Sequence, residues 1–506
     1  MTDNSFTRQS SIPKALVALV LSSLVVKLCL IGWNRGEYTD GIIQLQLWET
    51  PVVFFPPLYT LLVQLFALFV GDLVVAGRLV SILSSSLVPI PLFFIGRRLG
   101  HERAGLLASL FWVLSPMQNR WGLRVMTDSL FAFVFTIALL YFVRAVLDRR
   151  ESEARALRGM FFWAGIATLT RYHGLVFLML ALPLLRWKIQ FRPRRSENES
   201  DNVNAGFSWP LPVVLAPWLG LVFWIVFWGF GHVGQFTERA SYGLFITMLT
   251  YYNHLEGYIL YLPWAVGYPL AVWVIYATVR LWTSLGPWGL IRALTVSTLL
   301  IWLVVQTAFQ SFQFRYFLPL LPLWCLMAGY GLYRWKEEHA ISASIWRLTH
   351  IIIIGWLTGF SVLVIGLQRN AFADITDAAL FISQRPAEER VFSNETYREG
   401  VEAVKMSFWS GRPVLGYSQY NLIEPGNLVA IHNIYGNIAA DLQRRFTYEV
   451  VFRSHKTLYP LLPDIMVFPP GVTSHPAAMS FRFTRQEYLI EVIRITGRRD
   501  STDPSP

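Results

Sequence analysis

Two clusters of ionisable residues interrupt an otherwise apolar chain, and their types and spacing limit the chemistry open to them. The first is W-N-R-G-E-Y-T-D-G (33–41), in which Glu37 and Asp40 lie three residues apart. On a helical turn that spacing puts both carboxylates on one face. There one can accept a proton from a hydroxyl, or both can hold a divalent cation such as Mg or Mn. The second is N-R-W-G-L-R-V-M-T-D-S (119–129), with Arg124 and Asp128 at i,i+4. Basic residues elsewhere add a third constellation: Arg78 in A-G-R-L-V-S, Arg171 and His173 in T-R-Y-H-G, and Arg315 with Tyr316 in Q-F-R-Y-F-L-P. Guanidinium groups bind phosphate bidentately, so several near one surface suit a phosphate or pyrophosphate ligand. Each feature also has a plainer reading. Glu37 and Asp40 read as a solvated loop, Arg124–Asp128 as a helix-end ion pair of small energetic worth, and the arginines as snorkelling anchors. Lys27, inside the first apolar block, reads as a snorkelling side chain.

The elements that must position these residues are membrane helices. Of 506 residues, 54% are hydrophobic and 15% aromatic, while only 15% are charged; soluble domains carry roughly 25% charge. The apolar residues come in blocks of about 20, the length needed to cross ~30 Å of hydrocarbon. Cys29 and Cys325 both lie within such blocks, which excludes a disulfide framework or a cysteine zinc site. The net charge of +11 lies wholly in the first 368 residues, which hold 28 basic and 17 acidic side chains; from Arg369 onward the counts are 15 and 15. The basic excess therefore speaks of membrane sidedness and not of nucleic acid.

The first span is expected at 12–32, uncleaved, with its N-terminus in the cytoplasm. A short stretch at 55–70, opening with Pro56-Pro57, is expected to lie along the outer interface. Spans follow at about 73–96, 104–118, 127–147, 210–230, 257–281, 290–309, 314–333 and 348–368. Residues 159–185 carry basic clusters at both ends, so both ends belong in the cytoplasm; two short helices turning near Arg171-Tyr172-His173-Gly174 satisfy that, and one crossing does not. The sequence thus predicts a polytopic α-helical membrane protein with about eleven transmembrane helices plus an interfacial helix. The cytoplasmic segments of this topology hold 19 Lys and Arg, against seven on the outer side up to residue 315. Seven acids fall outside: Glu37, Asp40, Glu49, Asp72, Asp128, Glu238 and Glu256.

After residue 368 the pattern changes. Alternating runs (G-N-L-V-A-I-H-N-I, Y-E-V-V-F, E-Y-L-I-E-V-I-R-I) interleave with helix-like stretches. A small C-terminal α/β extracytoplasmic domain is expected at 369–495, with a disordered tail at 496–506. The segment 192–204 reads as a solvated cytoplasmic loop. Asn394-Glu-Thr matches a glycosylation sequon, too frequent a pattern to carry weight. There is no Walker A loop, no G-x-G-x-x-G and no H-E-x-x-H.

The ordered motifs resemble the glycosyltransferase C superfamily. They are most similar to bacterial relatives of dolichyl-phosphate-mannose protein mannosyltransferase (glycosyltransferase family 39) and to the lipid A aminoarabinose transferase. The series is E-Y-T-D-G, F-P-P-L-Y-T-L-L (55–62), A-G-R-L-V-S (76–81), G-R-R-L-G (96–100), A-G-L-L-A-S-L-F-W-V-L-S-P (104–116), R-V-M-T-D-S-L (124–130), A-G-I-A-T-L-T-R-Y-H-G-L (164–175) and F-R-Y-F-L-P-L-L-P (314–322). It covers about residues 12–335. The resemblance implies a membrane-embedded glycosyltransferase, residues 1–368 forming the catalytic domain. It implies a polyprenyl-phosphate sugar as donor, a glycan, lipid or protein acceptor on the outer face, and a first-loop acid, Asp40 or Glu37, as general base. The loop lacks the adjacent Asp-Glu pair of the mannosyltransferases, and residues 369–506 do not match their sugar-binding repeats.

This chemistry is consistent with the residues themselves. A phosphate-linked sugar already has a good leaving group. The protein must deprotonate an acceptor hydroxyl and stabilise charge on the departing phosphate. Arg78, Arg124, Arg171 and Arg315 are the candidate phosphate ligands, with Asp128, His173 and Tyr316 beside them. The residues establish no cofactor; Asp40 and Glu37 are the candidate ligands for a divalent metal. The competing class is a transporter or flippase of lipid-linked or anionic substrates; it calls for mid-span charges or matched broken helices, and mid-span charges are scarce here. A non-catalytic assembly protein working through its C-terminal domain is the third class.

Overall fold

Helix α1 (Lys14–Cys29) starts after Pro13 and is apolar nearly all round, as a lipid-contacting helix must be. The structure is a computed structural model that describes residues 12–48, 55–147, 150–190, 210–226, 263, 265–284, 286–308, 314–395, 403–433, 438–458 and 486–499. After α1 the chain turns through Ile31–Tyr38 into the short helix α2 (Thr39–Leu45), which carries Asp40 in its first turn. A carboxylate there is favoured by the helix dipole. Helix α3 (Leu58–Val70) follows Pro56-Pro57 and ends at Gly71, whose φ of 74° closes the helix in the left-handed region. Its 13 residues span about 20 Å, short of the ~30 Å of a bilayer core.

Asp72, counted among the outer acids, is the N-cap of α4 (Leu73–Leu87): its carboxylate accepts from the Val75 N–H at 2.8 Å. Such a cap is worth about 1 kcal/mol. Pro89 and Pro91 open α5 (Pro89–Arg98), where a missing N–H costs little. Helix α6 (Glu102–Leu114) breaks at Ser115-Pro116 into α7 (Pro116–Trp121). Glycine lets α5 and α6 approach closely: a Cβ on Gly96 would lie 2.3 Å from Gly105 Cα.

Helix α8 (Thr127–Leu147) matches the expected span and packs along α9 (Arg150–Thr170). Residues 159–185 form two helices, as the flanking charges require: α9 ends at Thr170 and α10 (Gly174–Gln190) begins after Arg171–His173. Gly174 is forced by space, since a Cβ would meet Thr168 Oγ1 at 2.5 Å. Then come α11 (Leu211–Trp224), α12 (Tyr268–Arg280), α13 (Pro287–Ala308), a 3-10 turn at Phe314–Leu320, α14 (Leu321–Glu338) and α15 (Ala343–Leu367). Among the described residues, Leu73–Arg98, Thr127–Leu147 and Ala343–Leu367 are long and apolar enough to cross a membrane. Leu58–Val70, Leu211–Trp224 and Pro287–Leu303 are shorter apolar helices. The expected spans 210–230 and 257–281 and the loop 192–204 run into or lie within residues outside the described set, as do Glu49, Glu238 and Glu256.

Beyond α15 lie α16 (Ala373–Ser383), β1 (Val391–Ser393), α17 (Val404–Ser410), β2 (Leu415–Gly416), β3 (Leu428–His432), α18 (Ala439–Arg445), β4 (Phe446–Leu458) and β5 (Gln486–Arg498). The sheet order is β2-β1-β3-β5-β4. β1 pairs in parallel with β2 and β3, while β5 pairs antiparallel with both β3 and β4. The alternating runs read from sequence are β3, β4 and β5. β5 continues to Arg498, past the expected start of the tail at 496; residues 500–506 are outside the described set. Asn394 is buried, and its amide exchanges two hydrogen bonds with the His432 backbone, at 2.7 and 2.8 Å. It is a register pin between β1 and β3, and it is not an exposed acceptor.

Candidate active site

The acidic loop and α2 are held by α3, α4, α7, the start of α8 and the segment after α15. Tyr38, at the N-cap of α2, is extended (φ −75°, ψ 151°). Glu37 and Asp40 therefore do not share one helical face, which corrects the expectation from their spacing. Glu37 points into the protein and is fully buried. Its Oε1 accepts from Arg78 Nε at 2.7 Å and its Oε2 from the Val125 N–H at 3.2 Å. Arg78 donates its other two nitrogens to the Ile31 and Asn34 carbonyls, both at 2.8 Å. All three nitrogens of Arg78 thus reach protein acceptors, and the pair staples the acidic loop to α4.

Asp40 is different. Its side chain keeps 25% exposure, and its Oδ2 pairs with Arg315 NH2 from the 3-10 turn. Arg315 is itself buried; its NH1 lies 3.3 Å from Met126 Sδ, and its guanidinium carbon is 5.8 Å from the Trp121 ring centroid. The side chain of Tyr316 lies outside the described residues. A second pair joins Asp128 to Arg171, with exposures of 2% and 14%. His173 packs its ring 4.3 Å from Trp302, and its buried Nδ1 has no hydrogen-bond partner among the described residues.

Arg124 is not the i,i+4 partner of Asp128. Helix α8 begins at Thr127, so Arg124 stands outside it. Its two terminal nitrogens reach the Gly36 carbonyl (3.0 Å) and the Gln368 carbonyl (2.9 Å), and its face covers Tyr38 at 4.9 Å. Tyr38 is also bound through its hydroxyl by Arg120 NH2 at 3.0 Å and packs on Trp121 at 4.9 Å. Trp121 and Tyr38 are both buried. Sequence reading missed the supporting roles of three residues. Thr60 donates to the Gln44 carbonyl (2.7 Å) and Tyr59 to the Gly77 carbonyl (2.9 Å), fastening α3 to α2 and α4. Lys27 does not snorkel: it is buried and donates to Ser85 Oγ (2.9 Å) and Gln118 Oε1 (2.8 Å), tying α1 to α4 and α7. The F-P-P-L-Y-T and polar Ser84-Ser85-Ser86 patterns were the available signals.

Glycine permits the closest approach. A Cβ on Gly41 would lie 2.4 Å from the Val125 carbonyl oxygen. Gly41→Ala is therefore expected to push α2 off the Val125 backbone and lower stability by about 1–3 kcal/mol. Denaturation of the purified variant in detergent checks this; an unchanged midpoint would contradict the packing.

Glu37 is fully buried, and each of its oxygens accepts a hydrogen bond from the protein. Among the described residues no group of three or more His, Cys, Asp and Glu side chains is placed to hold a metal ion.

Residues 55–196 match the family model of dolichyl-phosphate-mannose-protein mannosyltransferase, and residues 257–402 match the Alg9-like mannosyltransferase family. No curated protein matches the sequence. The fold is similar to ArnT from Cupriavidus metallidurans bound to undecaprenyl phosphate: 14% identity, 86% of this chain and 96% of that chain covered, TM-score 0.58. The apo form of the same protein matches at 13% identity over 94% and 97% of the two chains, TM-score 0.57. The Archaeoglobus fulgidus oligosaccharyltransferase, in a complex with Zn and sulfate, matches at 13% identity over 86% and 71%, TM-score 0.50. At such identities the likeness is one of fold. The resemblance to membrane glycosyltransferases of the glycosyltransferase C type holds: two segments are similar to mannosyltransferase families, and the chain shares the fold of ArnT.

Proposed function

We propose that this chain transfers a sugar from a polyprenyl-phosphate donor to an acceptor hydroxyl at the outer membrane surface, with Asp40 as general base and Arg315 as the cation that meets the donor phosphate. The observation that carries the reading is the Asp40–Arg315 pair. It joins the carboxylate of the acidic loop that stays partly exposed to a buried arginine in contact with Met126 and Trp121. The bound undecaprenyl phosphate of ArnT supports a lipid phosphate as the leaving group. Positive-inside counting supports an outer-face site, a cytoplasmic N-terminus and an extracytoplasmic C-terminal unit from 369.

In the resting protein Arg315 binds Asp40. An arriving donor phosphate competes for the guanidinium, which can take it bidentately. The carboxylate is then free to accept the proton of the acceptor hydroxyl. The hydroxyl oxygen attacks the anomeric carbon, the bond from that carbon to the phosphate oxygen breaks, and the electron pair leaves with the lipid phosphate. Arg315, with Arg171, stabilises that charge; Asp128 and His173 shape the Arg171 side. Arg78, Arg124 and Glu37 act on the loop and do not touch the donor.

Arginine and lysine separate this reading from simple anchoring. At a bidentate phosphate contact the planar fork matters; at an anchor only the charge does. Arg315→Lys is expected to weaken polyprenyl-phosphate binding by about tenfold or more, the loss of one charge-assisted hydrogen bond. Titration of purified protein with undecaprenyl phosphate measures it. Unchanged binding would remove Arg315 from the phosphate site.

A further inference from the structure

The C-terminal unit presses on the catalytic loop through buried charges that the proposed transfer chemistry leaves unused. In open α/β sheets ligands sit at the carboxyl ends of parallel strands. Here that edge carries Asn394 and Glu395 after β1 and His432 at the end of β3, and the chain itself fills it. Glu395 pairs with Lys405 of α17 at 3.4 Å and accepts from the Met406 N–H at 3.2 Å. His432 Nε2 lies 2.6 Å from Asp374 Oδ2. All four ionisable side chains are buried. Burial pushes the Glu395 carboxyl up and the Lys405 ammonium down, each opposed by its partner.

Lys405 also faces outward from this cluster. Its Nζ stands 3.8 Å from the centroid of the Phe372 ring, close enough for a cation–π contact. Phe372 is held at φ 59°, a backbone state costly for a bulky residue. Its ring meets Tyr38 edge-on at 5.1 Å, directly before Thr39 and Asp40. Around this contact the loop is clamped to the same segment. The Arg35 N–H donates to the Arg369 carbonyl at 3.1 Å, Arg35 pairs with Asp377 at 3.2 Å, and Arg124 bridges Gly36 and Gln368. A Cβ on Gly36 would lie 2.6 Å from the Ala371 oxygen. Val404, next to Lys405, packs on the cluster of Ile43, Leu47 and Trp224 beyond Asp40.

We propose that Lys405 is a positioning residue for the transfer reaction: anchored by Glu395, it holds Phe372 against Tyr38 and so fixes the direction in which α2 presents Asp40. The proposal rests on the reading of Asp40 as base. It makes the C-terminal unit a structural part of the active site, with the acidic loop seated against it much as a ligand would be.

Hydrogen–deuterium exchange of the full chain in detergent, combined with turnover, tests it. In Lys405→Met, exchange across 31–47 should rise about tenfold while 127–147 stays protected, as expected for a local loss of stability. Turnover should fall about tenfold with donor KM within about twofold, and Lys405→Arg should restore both. The double variant Glu395→Gln/Lys405→Met leaves no unpaired charge in this pair, keeps the shapes and still lacks the cation over Phe372. It should show the same faster exchange at 31–47. Slow, wild-type exchange there in the double variant overturns the contact. Equal gains at 127–147 in both variants would make Lys405 a general fold residue and overturn the proposal. Fast exchange at 31–47 with wild-type turnover would overturn the positioning role. Failure of the wild-type chain to transfer any sugar would remove the proposed function but leave the exchange result readable.

Discussion

Asp40→Asn is expected to lower turnover by ~10²–10⁴-fold, the range for removal of one general base. The amide keeps the shape of the side chain and can still accept from Arg315 through Oδ1. It cannot take the acceptor proton. Donor binding should hold or tighten, because Arg315 no longer has a carboxylate to neutralise it. The signature is therefore a fall in kcat with donor KM level or lower. A purified, well-folded Asp40→Asn protein with normal turnover would exclude Asp40 as base. Glu37→Gln provides the contrast, since its effect should come through the loop.

The second large effect concerns that loop. Arg78→Met leaves Glu37 buried without its cation, and Glu37→Met leaves Arg78 likewise stranded. Breaking a buried pair on one side costs about 3–5 kcal/mol, enough to threaten folding of a marginally stable chain. The double variant Arg78→Met/Glu37→Met removes both charges and should recover a large part of the loss, although the Ile31, Asn34 and Val125 contacts go with them. Denaturation midpoints of the three proteins in one detergent give the coupling energy as a double-mutant cycle. Strict additivity would contradict the pair as the staple of the acidic loop.

What could be read from sequence follows from what is local. The break at Arg171–His173 was legible because basic clusters on both flanks forbid a single crossing. The strands β3, β4 and β5 were legible from alternation over five or more residues. β1 and β2 are three and two residues long and leave no period to detect. The candidate site was legible as a set of residues and not as a set of pairs. Glu37 looked like the neighbour of Asp40, but the extended backbone at Tyr38 turns it into α4. Asp128 looked like the partner of Arg124, but α8 starts one residue before Asp128, and the pair forms with Arg171 instead. The burial of Lys27 depends on Ser85 and Gln118, which are 58 and 91 residues away in sequence. Spacing cannot report contacts that only helix packing creates.

Sugar transfer from a polyprenyl-phosphate donor with Asp40 as base is the proposed activity. Lipid mass spectrometry of cells lacking this chain tests it most directly, because the donor lies upstream of every unknown acceptor. One polyprenyl-phosphate sugar is expected to accumulate while one envelope glycan, lipid or protein loses that sugar. Both changes should be reversed by the wild-type chain and not by Asp40→Asn. An unchanged donor pool and glycan profile in the deletion, or full reversal by Asp40→Asn, would contradict it.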